Sequence, residues 1–180
     1  MKGIRPLMGF SMLATRVLLV WIVALGVADQ SSWSAQASAP CSSAQYRAFD
    51  FWVGDWTVRT ADGKVVGHNK IDREYGGCVV HEHYTTDRGY SGESLNIYDA
   101  ARGVWHQSWV DNSGLLLTIE GGVHDGKMVM EGQSLGKDGK PSKQRITWTP
   151  NADGTVRQLW ESTDAKGSWT TAFDGVYSRQ

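Results

Sequence analysis

Residues 91–111 read SGESLNIYDAARGVWHQSWVD. Polar and apolar side chains alternate on both sides of Ala100-Ala101-Arg102-Gly103, the period of strands whose two faces differ. The glycine supplies the positive φ that a tight hairpin needs. Pairing Asp99 with Val104 places Tyr98 opposite Trp105, Asn96 opposite Gln107 and Ser94 opposite Trp109. Setting the preceding turn so that Ser94 meets Glu82 extends the ladder by one strand. One face then carries Glu82, Tyr84, Ser94, Asn96, Tyr98, Trp105, Gln107 and Trp109. The other carries His81, His83, Glu93, Leu95, Ile97, Val104, His106 and Val110. A slip of one residue would exchange the two sets.

The same rhythm runs outward from this hairpin. From Phe51 onward, short runs rich in Val, Ile, Thr, Tyr and Trp alternate with turn clusters such as Ala61-Asp62-Gly63, Asp87-Arg88-Gly89, Asn112-Ser113-Gly114 and Ala152-Asp153-Gly154. Nine such clusters separate about ten predicted strands, the all-β signal. No segment between them has the length and 3.6-residue period of a crossover helix. The strands are therefore expected to be antiparallel neighbours in sequence order. Uniformly short connections favour closure into an up-and-down barrel, which leaves no free edge, over a two-sheet sandwich. Ser42–Ala48 is predicted to form one helical or 3₁₀ turn ahead of the first strand.

The start of the chain reads differently. Lys2, Arg5 and Arg16 precede an apolar run, Val17–Ala28, and no acid appears before Asp29. The run is too short to span a bilayer core, which needs about 20 residues. Residues 1–37 are therefore read as a signal peptide cleaved after Ala28 or, preferably, after Ala37. Pro40 argues against lipid attachment at Cys41. The single domain expected is 38–180, exported to a periplasm or beyond the cell, with no stable membrane anchor after cleavage. The full chain carries −1; loss of the three leader cations takes it to −4, or to −3 when Asp29 leaves as well. With no Lys/Arg cluster downstream, that balance excludes nucleic-acid binding by bulk electrostatics. In an oxidising compartment the two cysteines, Cys41 and Cys78, are expected to pair.

Phe49-Asp50-Phe51-Trp52-Val53-Gly54-Asp55-Trp56 opens the first strand. Gly-x-Trp after a short helical turn resembles the calycin barrels, the lipocalin and fatty-acid-binding group. The resemblance implies a Trp packed at the closed end beneath an Arg from the last strand, a part that Arg179 would take. Gly-Gly-Cys-x-x-x-Glu-His (76–83), Gly-Glu-Ser-Leu-Asn-Ile-Tyr-Asp (92–99) and Trp-His-Gln-x-Trp-Val-Asp (105–111) follow in order. Together these motifs are similar to those of a family of small exported bacterial proteins with a calycin-like barrel and no established reaction.

Three functions are compatible with these residues. The leading one is a binding module for a small, partly apolar molecule. Its pocket would be formed by Glu82, Tyr84, Asn96, Tyr98, Trp105, Gln107 and Trp109, apolar walls with a few convergent polar groups. The second is a small hydrolase or isomerase, using Glu82 as general acid or base or a metal on His81 and His83 with Glu93 across the hairpin. The third is a filled barrel acting through its surface in the cell envelope. No cofactor is expected. Haem held by a C-terminal His is disfavoured because no His follows His124. His68 and His124, beside turns, are assigned to the surface. Of the nine tryptophans, seven follow the leader and are read mostly as barrel filling.

Overall fold

A computed structural model describes residues 39–135 and 139–180. The predicted leader lies outside the described residues. Ten strands follow a single helical turn, α1 (Ala44–Arg47). They are β1 (Gly54–Arg59), β2 (Val65–Glu74), β3 (Val79–Thr85), β4 (Ser91–Asp99), β5 (Val104–Asp111), β6 (Leu116–His124), β7 (Lys127–Leu135), β8 (Pro141–Pro150), β9 (Val156–Thr163) and β10 (Trp169–Arg179). Each pairs antiparallel with its sequence neighbours, and β1 pairs with β10 to close the barrel. Among the described residues no helix is long and apolar enough to cross a membrane.

The register of the central hairpin is the one that alternation predicts. Tyr98 faces Trp105, Asn96 faces Gln107, Ser94 faces Trp109 and Glu82 faces Ser94. Glu82, Ser94, Asn96, Trp105 and Gln107 are accordingly buried, while Leu95, Ile97 and Val110 are exposed on the outer wall. Burial selects this register, because a shift of one residue would bring Glu93 and Leu95 inward and expel Asn96 and Trp105.

One end of the barrel is plugged. A 3₁₀ turn at Asp50–Trp52 carries Phe49 and Trp52 into the interior, where both are fully buried. Phe49 stacks on Trp52 at 4.9 Å and meets Trp105 and Trp148 edge-on at 5.7 and 5.1 Å. Arg73 holds this segment to the barrel by ion-pairing with Asp50 and donating to the carbonyls of Tyr46 and Gly77. The Cys41–Cys78 disulfide, with Cα atoms 5.0 Å apart, adds a covalent tie at the same end. Arg179 lies 4.4 Å above the ring of Trp56, and Trp56 donates its indole N–H to the carbonyl of Trp52. Gly54 sits beneath that guanidinium at φ +146, where any Cβ would strike Arg179.

Candidate functional site

The opposite end of the barrel is hollow. A cavity of about 230 Å³ opens there, walled by Tyr84, Trp109, Leu117, Ile146, Trp160, Phe173 and Tyr177. Glu82, Gln107 and Gln158 form its polar floor, and Tyr90 and Ala172 stand at its margin. The hollow follows from topology: the N-terminal segment fills the barrel from one end only, and its aromatics do not reach the other.

Three of the predicted pocket residues therefore do not line the cavity. Trp105 packs on Phe49, and Tyr98 packs on Tyr46 at 5.3 Å. Asn96 is spent on the carbonyl of Val80 and on its neighbours Ser94 and Gln107. They share a face with Glu82 but lie deeper, on the plugged side. Glu82, Tyr84, Gln107 and Trp109 are brought together as expected. Sequence reasoning missed Tyr90, Leu117, Ile146, Gln158, Trp160, Phe173 and Tyr177, most of which arrive from the far wall. Except for Tyr90, which precedes β4, their inward parity was readable from alternation; their depth along the barrel was not.

Glycines seat three of the cavity aromatics. A Cβ on Gly67 would meet the Tyr84 phenol, one on Gly92 the Trp109 indole, and one on Gly175 the Phe173 ring. Each ring lies against bare backbone, so the walls are thin at those points and the rings are fixed in place. At β10 the extra residue Ala172 makes a bulge between Thr171 and Phe173, a device that re-aims side chains at a barrel rim.

Glu82 is the chemical centre of the floor. Asn69 donates to its Oε1 at 2.7 Å and Ser94 to its Oε2 at 2.6 Å. The ladder continues outward, with Asn96 donating to Ser94 at 2.9 Å and Gln107 donating to Asn96 at 2.7 Å. None of the residues lining the cavity is Lys or Arg, so no cation there offsets the desolvation of the carboxylate. Burial pushes the Glu82 carboxyl up to about 7, and the hydrogen bonds from Ser94 and Asn69, with His81 behind the strand, only partly oppose this. Burial likewise raises Tyr84 and Tyr177. Asn69 keeps one buried amide oxygen without a hydrogen-bond partner beside Glu82.

Asp111 organises the rim. It accepts from the Tyr90 hydroxyl at 2.8 Å and the Trp109 indole at 3.2 Å, and it caps the Asn112–Leu115 turn. Burial works against its charge, but the hydrogen bonds from Ser113, Tyr90 and Trp109 outweigh it and hold the carboxyl near 2.

His81 and His83 point the other way, onto the outer wall. Their rings lie 3.9 Å apart beside Glu74 and Glu93. A metal held there would be separated from the cavity by the sheet itself. His106 is engaged elsewhere, with Glu120 and Ser108, and His68 and His124 are exposed as expected. The fold and site together define a closed ten-strand antiparallel barrel with one plugged end and one aromatic end cavity built around a buried carboxyl. No known protein family matches the chain, and no curated protein does.

Proposed function

We propose that this protein is an exported binding module whose end cavity takes one small, largely apolar molecule, neutral or basic rather than anionic. The observation that carries the reading is the aromatic end cavity with Glu82 at its floor. At about 230 Å³ it exceeds the roughly 150 Å³ that suffices for benzene, and it suits a guest of about ten heavy atoms. Its walls would supply dispersion and its floor a few orienting hydrogen bonds. With a carboxyl and no Lys or Arg at the floor, an acid headgroup would meet repulsion, whereas an amine or a hydrogen-bond donor would meet Glu82. Export is supported by the leader-like start of the sequence and by the disulfide, which persists in oxidising compartments. The Arg179–Trp56 contact agrees with the calycin resemblance.

The test uses the tag-free 38–180 chain, first by native mass spectrometry for a co-purified guest and then by Trp fluorescence. Indole, phenethylamine and phenylacetate share an aromatic group and differ in charge. Saturable binding of the first two above pH 7, with phenylacetate weaker by tenfold or more, is expected. Failure of all three together with an empty mass spectrum would overturn the reading.

A second reading rests on Glu82 alone. A carboxyl near 7 exchanges its proton at neutral pH, as a general acid or base must, so a small hydrolase or isomerase fits the same cavity. A co-purified guest that turns over with the native protein and returns unaltered with Glu82→Gln would select that reading. A guest unaltered by both would exclude it.

A further inference from the structure

We propose that Glu74, His81 and His83, supported by Glu93, form a divalent transition-metal site on the outer wall of the barrel, independent of the cavity. Three side chains from two neighbouring strands converge there, with Glu93 beside them on a third. His81 and His83 are two apart on β3 and so share its outer face. Glu93 stands directly across from His83 on β4, and Glu74 lies diagonal to His81 on β2. One ligand atom each from Glu74, His81 and His83 falls within 4.8 Å of the others. His81 Nδ1 is 3.0 Å from Glu74, and Glu93 reaches His81 Nε2 at 3.4 Å and His83 Nδ1 at 3.3 Å.

These spacings are what a metal requires. Zinc bound at 2.0–2.1 Å in a tetrahedron sets its ligand atoms about 3.3 Å apart. Two imidazoles with carboxylates suit zinc, copper(II) and nickel(II) rather than magnesium or calcium, which prefer all-oxygen shells.

Charge favours the same occupant. With neutral imidazoles the cluster carries two negative charges, and no Lys or Arg pairs with Glu74 or Glu93 among the described residues. Lys70 stands directly across from His83 on β2, but its ammonium is paired with Asp72 at 2.8 Å, and Arg73 is paired with Asp50. The site is also reachable. His83 and Glu93 border a shallow outer groove that runs over Val110 and Asp111 to Asn112, which leaves a coordination position for water or an external ligand. A bound ion would clasp β2 and β3 over the wall that carries Glu82 inward.

The test is calorimetric titration of zinc sulfate into tag-free, chelator-stripped 38–180 protein, with metal content read by mass spectrometry. One zinc per chain at micromolar or tighter affinity is expected. His81→Ala and His83→Ala should each weaken binding at least 100-fold. Glu74→Gln and Glu93→Gln should each cost about 10–100-fold, the range for weakened metal surroundings. His68→Ala and His124→Ala should change nothing. His81 bridges two carboxylates, so its loss has a structural component; His83→Ala, at a more exposed side chain, supplies the independent reading. Absence of stoichiometric zinc, or zinc retained at full affinity by His81→Ala/His83→Ala, overturns the proposal.

Discussion

Replacing Glu82 with Gln should make the barrel more stable at neutral and alkaline pH, by an amount that grows with pH. The carboxyl has its ordinary value near 4.5 in the unfolded chain and about 7 in the barrel. Below 4.5 both states are protonated and the group is neutral to stability. Between 4.5 and 7 the unfolded chain releases its proton while the folded one keeps it, so folding takes up protons and stability falls as pH rises. Above 7 both are ionised and the loss is complete. At 1.36 kcal/mol per factor of ten in acidity, the loss is about 1 kcal/mol at pH 5, about 2 at pH 6 and about 3 at pH 8. The amide of the variant carries no charge, and Asn69 has an unpartnered oxygen with which to receive its N–H. The variant should therefore escape the slope. Asp111 and Glu120, each held near 2, make the native protein lose stability as pH falls into the acid range. They do so in both proteins and cancel in the difference. The assay is urea unfolding of the native and Glu82→Gln domains at pH 5, 6, 7 and 8. A stability difference independent of pH would refute the reasoning, because it would mean that the carboxyl is solvated or paired.

Three further outcomes follow from contacts already described. Gly92→Ala drives a methyl group into the Trp109 indole; it should cost about 1–3 kcal/mol and shift Trp emission, and unchanged urea melting would contradict the tight seat. Cys41→Ser/Cys78→Ser frees a loop spanning 37 positions and should cost roughly 3.5–4 kcal/mol in the chain-entropy account, or ~10 °C in Tm by calorimetry. Arg73→Ala leaves the Asp50 carboxylate to Arg47 alone and the carbonyls of Tyr46 and Gly77 without their donor. Its cost should be about 2–3 kcal/mol, short of the 3–5 of a fully buried pair because Asp50 is partly exposed; differential exchange of the Ala44–Trp52 amides reports it.

The barrel was legible because its signals are local. Turns such as Gly89, Gly103 and Gly154 adopt the positive φ that their position demanded, and alternation around Asp99–Val104 set the register of β3, β4 and β5. The His81–His83 cluster was legible only in part. His81, His83 and Glu93 follow from one hairpin, whereas Glu74 joins through the pairing of β2 with β3. The pocket was legible by face and not by depth. Trp105 and Trp109 are two residues apart with the same inward parity, yet one is filling and the other is wall.

That division marks what each level of description decides for this protein. Sequence alone determined the all-β class, the order of neighbouring strands and which residues of β3, β4 and β5 share a face. These depend on a two-residue period and on glycine turns, and both act over a few positions. Tertiary structure alone decided whether the Glu82 face encloses space or is filled. Phe49 and Trp52 enter from one end and stop short of the other. Where they stop depends on side chains from both ends of the chain meeting inside a closed barrel, a volume that no local period encodes.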